Sequence, residues 1–396
     1  MLNIQVLCQT LGFLCVLLLY SCNLRGAAES IGYCSSYDFD LPPNVEPPRH
    51  PPDVCLTRAR VELGRKLFYD ARLSLNQTQS CSSCHKQILS FSDGLMRARG
   101  STGQTHPRNA LSLTNVGYFA SLTWFNPDLH RLDNQTLIPF FAEDTPTTIQ
   151  ELSISGKEHV ITARMNADPT YPRMFAEAFP GASADVIHIA RALAAFQTTL
   201  ISFQSPFDLG TMSEPAKRGQ ALFNSETTGC FHCHGGRDFN LDDEAGRLWF
   251  QNVGLYNVAG RGDYPDVSVH GPAAARATQG LSLVTEKKED RGKFRTPSLR
   301  NVAVTGPYMH DGSVATLVDV IEIFNQGGRD IRAGAFSGDG RQNPNKDHRV
   351  RSLALTREQK ADLLEFLKSL TDECFLNEPH FSDPAAPPPK RPAYCR

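Results

Sequence analysis

The chain has 396 residues, 40% hydrophobic and 21% charged, which suits a folded core of about two ordinary domains and excludes global disorder. Its 40 Lys and Arg against 42 Asp and Glu leave a formal net charge of -2, so no concentrated basic face speaks for nucleic-acid binding. Eleven cysteines exceed what a reduced intracellular enzyme ordinarily carries, and 26 prolines with 29 glycines make much of the chain loop.

In chain order, the apolar run from Leu11 to Tyr20 predicts an export leader over 1–28, ending in the small residues Gly26-Ala27-Ala28. The run is short for a membrane span. No Lys or Arg precedes it, which leaves an uncleaved anchor or a lipid-anchored Cys22 as alternatives. A Pro-rich arm follows over 29–55. Thr57 to Tyr69 reads as a helix, with Leu63 and Leu67 one turn apart. Asp185 to Phe203 is another, since Val186, Ile189, Leu193, Phe196 and Leu200 share one face. Ser205 to Glu214 reads as a linker, and Pro215 opens the next helix at a position where its missing N–H costs nothing. Leu317 to Phe324 is a short apolar helix. Thr356-Arg-Glu-Gln359 is a capping box before an amphipathic helix carrying Leu363, Leu364, Leu367 and Leu370. A Pro-rich tail fills 373–396. Alternating strand patterns are scarce. The expected fold class is mainly α with long loops, in two halves over 56–205 and 206–372.

With Cys8, Cys15 and Cys22 assigned to the leader, eight cysteines remain. Cys34, Cys55, Cys374 and Cys395 lie two near each end and suggest two disulfides in an exported chain, with three connectivities open. The local pairs, Cys34 with Cys55 and Cys374 with Cys395, close loops of equal length and would pin the Pro-rich ends.

The other four cysteines form Cys81-Ser-Ser-Cys84-His85 and Cys230-Phe-His-Cys233-His234. CxxCH is the attachment pattern of c-type haem. Two thiols three positions apart can each bond a haem vinyl group, and the next residue then offers its imidazole to iron. CxxC pairs also build zinc sites, but zinc needs no adjacent His. His232, inside the second motif, reads as a surface residue. Each motif follows a helix ending in a Leu-Phe pair, Gly64-Arg-Lys-Leu-Phe68 and Gly219-Gln-Ala-Leu-Phe223, which makes a weak internal repeat of a cofactor site. Two haems serve either electron transfer alone, with both irons closed, or peroxide chemistry, with one iron open beside an acid or base.

The residues around the motifs resemble a known family. Leu63 to Ser74, Ser80 to His85 and Phe91-Ser-Asp-Gly94 resemble the N-terminal haem segment of the bacterial di-haem cytochrome c peroxidases and of MauG. Arg295-Thr-Pro-Ser-Leu-Arg-Asn-Val302 and Thr305-Gly-Pro-Tyr-Met-His-Asp-Gly-Ser313 match the second half, so the resemblance runs from about Ala59 to Leu370. Gly103 to Asn109, Leu122 to Pro127 and Thr371 to Leu376 resemble the MbnH branch, whose members sit beside a small copper-binding partner, MbnP, and oxidise a tryptophan on it to kynurenine.

This resemblance implies two cytochrome c-like domains, each with one covalent haem c. It makes His85 the proximal ligand of an N-terminal, peroxide-binding haem, and His234 that of a C-terminal, electron-storing haem. Trp124 falls at the tryptophan that conducts charge between the haems; core packing is the plainer alternative. Asn109, Thr305 and Pro307 match a calcium site built from neutral oxygens. Gln135 matches the pocket glutamine. Glu151 matches the pocket glutamate that moves a proton between peroxide oxygens, with Glu143 as competitor because 144–149 contains an insertion. His310 matches a His near the haems. His106 is offset from the His that approaches the N-terminal haem in some peroxidases, and reads as a loop residue. Phe324 falls where the peroxidases have a Met ligand and MauG a Tyr. Phe has no lone pair for iron, so Met309 or His310 would supply a sixth ligand or the haem is open on that side.

The expected protein is an exported, periplasmic or extracellular haem peroxidase. It would use hydrogen peroxide to oxidise a protein substrate at long range, with an MbnP-like copper protein as the partner the branch implies. Peroxide removal with a small redox-protein donor is the alternative within the enzyme class. A non-catalytic di-haem electron carrier is the alternative outside it.

Overall fold

The computed structural model describes residues 37–48, 55–141, 151–241, 250–265 and 279–395. The expected leader, Cys34, Glu143 and Trp249 lie outside these residues.

The chain is helical with little sheet. Helix α1 (Arg58–Phe68) begins where Thr57 Oγ1 accepts the Arg60 N–H at 3.2 Å. Three helices follow that periodicity did not predict: α2 (Leu132–Phe141), α3 (Glu158–Ala167) and α4 (Thr170–Ala178). Pro139 inside α2 masks it, and α3 buries only Ile161 and Met165, too few to print a stripe on the sequence. Helix α5 (Val186–Thr198) is capped by the Asp185 carboxylate, which accepts the His188 N–H at 2.8 Å. Helix α6 (Glu214–Phe223) starts at the Ser213 cap, with Pro215 in its first turn as expected. Helix α7 (Leu317–Gln326) ends at Gly327 in the left-handed conformation. Helix α8 (Arg357–Lys368) opens on the expected capping box of Thr356 and Gln359. Among the described residues the strands are two antiparallel pairs, β1 (Phe250–Gln251) with β2 (Phe294–Arg295) and β3 (Asp330–Ile331) with β4 (Gly338–Asp339).

The weak sequence repeat is a repeat of packing. Helix α1 lies on α5, and α6 lies on α8. Each pair crosses at a glycine. A Cβ on Gly64 would fall 1.8 Å from the Ala192 carbonyl oxygen and 3.0 Å from Phe196 Cβ. A Cβ on Gly219 would fall 1.9 Å from the Asp362 oxygen and 2.9 Å from Phe366 Cβ. In both cases backbone meets backbone, with a fully buried Phe one turn further along. The two pairs seed separate apolar clusters, and a third gathers Trp124, Leu255, Tyr256, Tyr264, Phe294 and Val314.

Buried polar groups tie the halves together. Asn115 and Asn301 both adopt left-handed backbone, with φ of 57° and 58°. Asn115 donates to Asp238 Oδ1 at 2.6 Å and accepts from the Ser202 N–H at 2.8 Å. Asn301 donates to Ser202 Oγ at 3.1 Å and accepts from the Asp372 N–H at 2.7 Å. Each amide is paired at both ends, as burial requires. Cys374 and Cys395 are disulfide-bonded, with Cα atoms 5.5 Å apart, so the tail is pinned by the local pair. Cys55 is also in a disulfide.

Candidate active site

The two CxxCH motifs have the same local build. Cys81–Cys84 forms one helical turn, capped by Ser80 and Ser83, and the His85 N–H returns to the Cys81 carbonyl at 3.0 Å. The second motif also coils into one turn, and the His234 N–H returns to the Cys230 carbonyl at 2.8 Å. His85 Nδ1 donates to the Phe91 carbonyl at 2.7 Å, and His234 Nδ1 donates to the Phe239 carbonyl at 2.8 Å. A carbonyl can only accept, so each imidazole carries its proton on Nδ1 and keeps the Nε2 lone pair for a metal. Burial lowers the pKa of both rings, that of His234 to about 4, which keeps the lone pair free. Phe91 and Phe239 present these carbonyls from left-handed backbone, with φ of 58° and 55°.

The four cysteines are free thiols, pushed up by burial, Cys81 and Cys84 to about 12 and Cys233 to about 11. Among the described residues no three His, Cys, Asp or Glu side chains converge on a metal-ion position, as a zinc site would need. An apolar cavity adjoins Cys230, Cys233 and His234, and Pro297, Met309 and Phe324 help to line it. Unpaired thiols, an imidazole with Nε2 free and an apolar slot beside them are the donor set of a covalent haem, and the residues fit one.

The same cavity gathers expected site residues from both halves of the chain. Trp124, Asn109, Thr305, Pro307 and His310 all border it. Trp124 is 9% exposed, and its indole N–H donates to the Asn109 carbonyl at 2.9 Å. The Asn109 N–H donates to the His310 carbonyl at 2.8 Å. The Asn109 amide nitrogen donates to the Leu95 carbonyl at 2.8 Å, which leaves the amide oxygen as its free donor toward a cation. The His310 ring stacks on Phe294, with centroids 3.7 Å apart, and burial holds its pKa down at about 4.

Glu151 stands apart from this group, on the side of the first motif. His106 Nε2 lies 3.4 Å from Glu151 Oε1. Burial alone would raise the Glu151 carboxyl. The hydrogen bond and charge of His106, then the charges of His85 and Arg108, outweigh it and hold the carboxyl below its usual range. Glu151 in turn acts electrostatically on Cys81 and Cys84, so it faces the first CxxCH motif. Burial pushes Arg108 down to about 10. Gln135 is half-buried on α2. His232 pairs with Glu226 at 3.0 Å on the surface, as expected. His106, expected to be a loop residue without a role, is instead the partner of Glu151. Arg108 carried no expectation. Both lie in the Gly103–Asn109 segment that carries the branch resemblance, but the pairing of His106 with Glu151 had no sequence signal, because it joins positions far apart along the chain.

A family model of the di-haem cytochrome c peroxidases matches residues 58–215. The cytochrome-c peroxidase IdrP1 of Pseudomonas sp. (strain SCT) is 32% identical over 361 residues, covering 87% of this chain and 86% of its own. The chain belongs to the di-haem cytochrome c peroxidase and MauG family. MauG of Methylorubrum extorquens is 30% identical over 366 residues, covering 88% of this chain and 89% of its own. A crystal structure of a MauG-like protein associated with microbial copper homeostasis superposes with a TM-score of 0.81 and 43% identity, over 88% of this chain and 99% of that one. The di-haem peroxidase BthA from Burkholderia thailandensis, at 22% identity and a TM-score of 0.60, shares the fold. As a member of this family the protein is a haem peroxidase-type enzyme, which sets aside the electron-carrier alternative. The family is one of di-haem c-type cytochromes. No helix among the described residues is long and apolar enough to cross a membrane.

Proposed function

We propose that this enzyme, which resembles the MauG-like protein associated with microbial copper homeostasis, uses hydrogen peroxide to oxidise a partner protein by long-range electron transfer. That protein is similar over 88% of this chain and nearly the whole of its own, and this observation carries the reading. In it, Cys81, Cys84 and His85 hold the peroxide-binding haem in a cytochrome c-like domain over 56–205. Cys230, Cys233 and His234 hold the second haem in a domain over 206–372. The leader 1–28 directs export, the Pro-rich arm 29–55 and tail 373–396 flank the two domains in the chain, and Asn109, Thr305 and Pro307 hold calcium through neutral oxygens.

The haems, when bound, supply the iron redox chemistry. The chain's own residues manage protons and charge. Reducing peroxide to two waters takes two electrons and two protons. Glu151, already ionised, takes a proton from peroxide and returns it to the departing oxygen. Trp124 conducts electrons between the two sites, and its N–H bond to Asn109 stabilises positive charge on the indole while it is oxidised. Gln135 orients peroxide, and the buried, neutral His310 steadies the bridge. Because electrons travel through the protein, the substrate stays on the surface and needs no organic-substrate cleft.

The partner is a small copper-binding protein with an oxidisable tryptophan. The test mixes haem-loaded enzyme, peroxide and candidate partner, and reads the partner's mass for conversion of tryptophan to kynurenine. A second reading, peroxide removal with a small redox-protein donor, is favoured by the relatives named cytochrome-c peroxidase. It predicts rapid turnover with reduced cytochrome c and an unmodified partner.

A further inference from the structure

The loop carrying His106 is built to a purpose that the haem motifs do not explain. It folds back on itself. Arg99 and Thr105 pair in an antiparallel bridge, the Gly100 N–H donates to the Gln104 carbonyl at 2.8 Å, and the His106 N–H donates to the Ala98 carbonyl at 2.7 Å. Ser101, near its tip, stitches the loop to the segment holding Glu151. The Ser101 N–H donates to the Glu151 carbonyl at 3.0 Å, and the Ser101 and Ser153 hydroxyls meet at 3.2 Å. The contact of His106 with Glu151 thus joins two pieces of backbone already locked to each other.

The ring of His106 is oriented as well. Its Nδ1 lies 3.2 Å from the N–H of Arg108 and 3.2 Å from the Arg108 carbonyl. The Glu151 carboxylate beside Nε2 can only accept, which selects the tautomer with its proton on Nε2; the neutral ring then accepts the Arg108 N–H at Nδ1, and a protonated ring donates to the carbonyl. In both states Nε2 carries a hydrogen, and that hydrogen faces Glu151. The other charged groups that bear on Glu151 are His85 and Arg108.

We propose that His106 is the positioning residue of the peroxide site: it aims Glu151 and keeps it a carboxylate before peroxide arrives. The inference rests on the reading of Glu151 as the proton-moving residue. The chemistry balances. The Glu151 carboxylate takes one proton from H2O2, and the O–O bond breaks with its electron pair leaving on the outer oxygen. The same proton makes that oxygen water. The second oxygen becomes water on receiving two electrons, drawn finally from the protein substrate, and two further protons. A carboxyl held low does both jobs, since it is ionised at the start and a stronger acid when it returns the proton.

The test compares haem-loaded wild type with His106→Ala, His106→Gln and Glu151→Gln. Infrared spectroscopy follows the protonated carboxyl stretch of Glu151 against pH, assigned by its loss in Glu151→Gln. Stopped-flow mixing gives the second-order rate with peroxide against pH. His106→Ala removes stabilisation of the carboxylate, so both the carboxyl titration and the acid limb of the rate should move up by about one pH unit, close to tenfold in rate at acid pH. The rate should recover at higher pH. His106→Gln keeps an N–H donor and should fall between. If His106→Ala leaves the carboxyl titration in place, or slows the reaction equally at every pH, the positioning role is wrong and the role of Glu151 stands. If Glu151→Gln reacts with peroxide like wild type, the reading of Glu151 falls and the proposal with it.

Discussion

The indole N–H of Trp124 donates to the carbonyl of Asn109 at 2.9 Å, and the N–H of Asn109 donates to the carbonyl of His310 at 2.8 Å. Three residues expected at the site are therefore joined through one backbone unit on the wall of the cavity beside His234. Packing alone does not require this, because a buried Phe would fill much of the same space. Trp124→Phe should keep both haems and react with peroxide, yet lose at least tenfold in oxidation of the protein substrate. Folding should weaken by only about 1–2 kcal/mol, from the carbonyl left unpaired. Wild-type substrate oxidation in this variant would reduce Trp124 to a core residue.

Cofactor loading is the next expectation. Both motifs present free thiols on a single helical turn and a His with its Nδ1 proton tied to a backbone carbonyl. Intact mass of exported protein should show two haem additions that persist after denaturation. Cys230→Ala with Cys233→Ala should leave one. A wild type with one addition, or with bound zinc, contradicts the two-site architecture.

The glycine crossings predict symmetric damage. Gly64→Ala must push the α1–α5 contact apart, and Gly219→Ala the α6–α8 contact, because each new Cβ falls within 2 Å of a carbonyl oxygen. Overpacking of this kind costs about 1–3 kcal/mol or more. Denaturant melts should show both variants destabilised.

What the sequence made legible follows from range. The CxxCH motifs, the Thr356 capping box and the stripe of α5 are local patterns and appear where expected, except that α5 ends at Thr198, short of the expected Leu200 and Phe203. The repeat of Gly64 and Gly219 was visible as letters, but its meaning, two backbones in contact, needed the partner helices. Helices α2 and α3 lacked a readable stripe, whereas α4 carries one in Tyr171, Phe175 and Ala178 that sequence reasoning missed. The pairing of His106 with Glu151 was invisible, because it depends on a loop closing on itself and on Ser101 reaching a second segment. Chemistry held by one short stretch of chain could be read in advance. Chemistry assembled between stretches could not.

A pH prediction follows from Asp70. Its carboxylate accepts from the Arg72 guanidinium at 2.7 Å and from the hydroxyl of fully buried Tyr171 at 2.6 Å. Burial would raise its pKa, but the bonds from Arg72 and Tyr171 outweigh this and lower it. A carboxyl lowered on folding stabilises the protein above its unfolded pKa, and loses that contribution as pH falls through the folded value. Asp70→Asn should therefore cost about 1–3 kcal/mol at neutral pH, with the gap to wild type closing as pH drops below about 4. Urea melts at several pH values read this directly. A gap that stays constant into acid would show that ionisation of Asp70 contributes nothing.

Phe324 is the family departure with the largest chemical consequence. It lines the cavity beside His234 together with Met309. A phenyl ring offers iron no lone pair. His310, the other candidate, has its ring stacked on Phe294 at 3.7 Å and tilted only 12°, in contact with Tyr264 at 5.7 Å. Leaving that stack for iron would cost both aromatic contacts. The wild-type ferric protein should therefore carry no tyrosinate signature, and Phe324→Tyr should introduce one. Electron paramagnetic resonance should show a new low-spin species in the variant, at the expense of the signal from the His234 haem. Met309→Leu is the companion measurement. If it converts a wild-type low-spin signal to high spin, the Met309 thioether is the native sixth ligand. If it changes nothing and wild type is already high spin at both haems, the second haem is open on the Phe324 side. In either case an unchanged spectrum in Phe324→Tyr would mean that residue 324 does not face the iron.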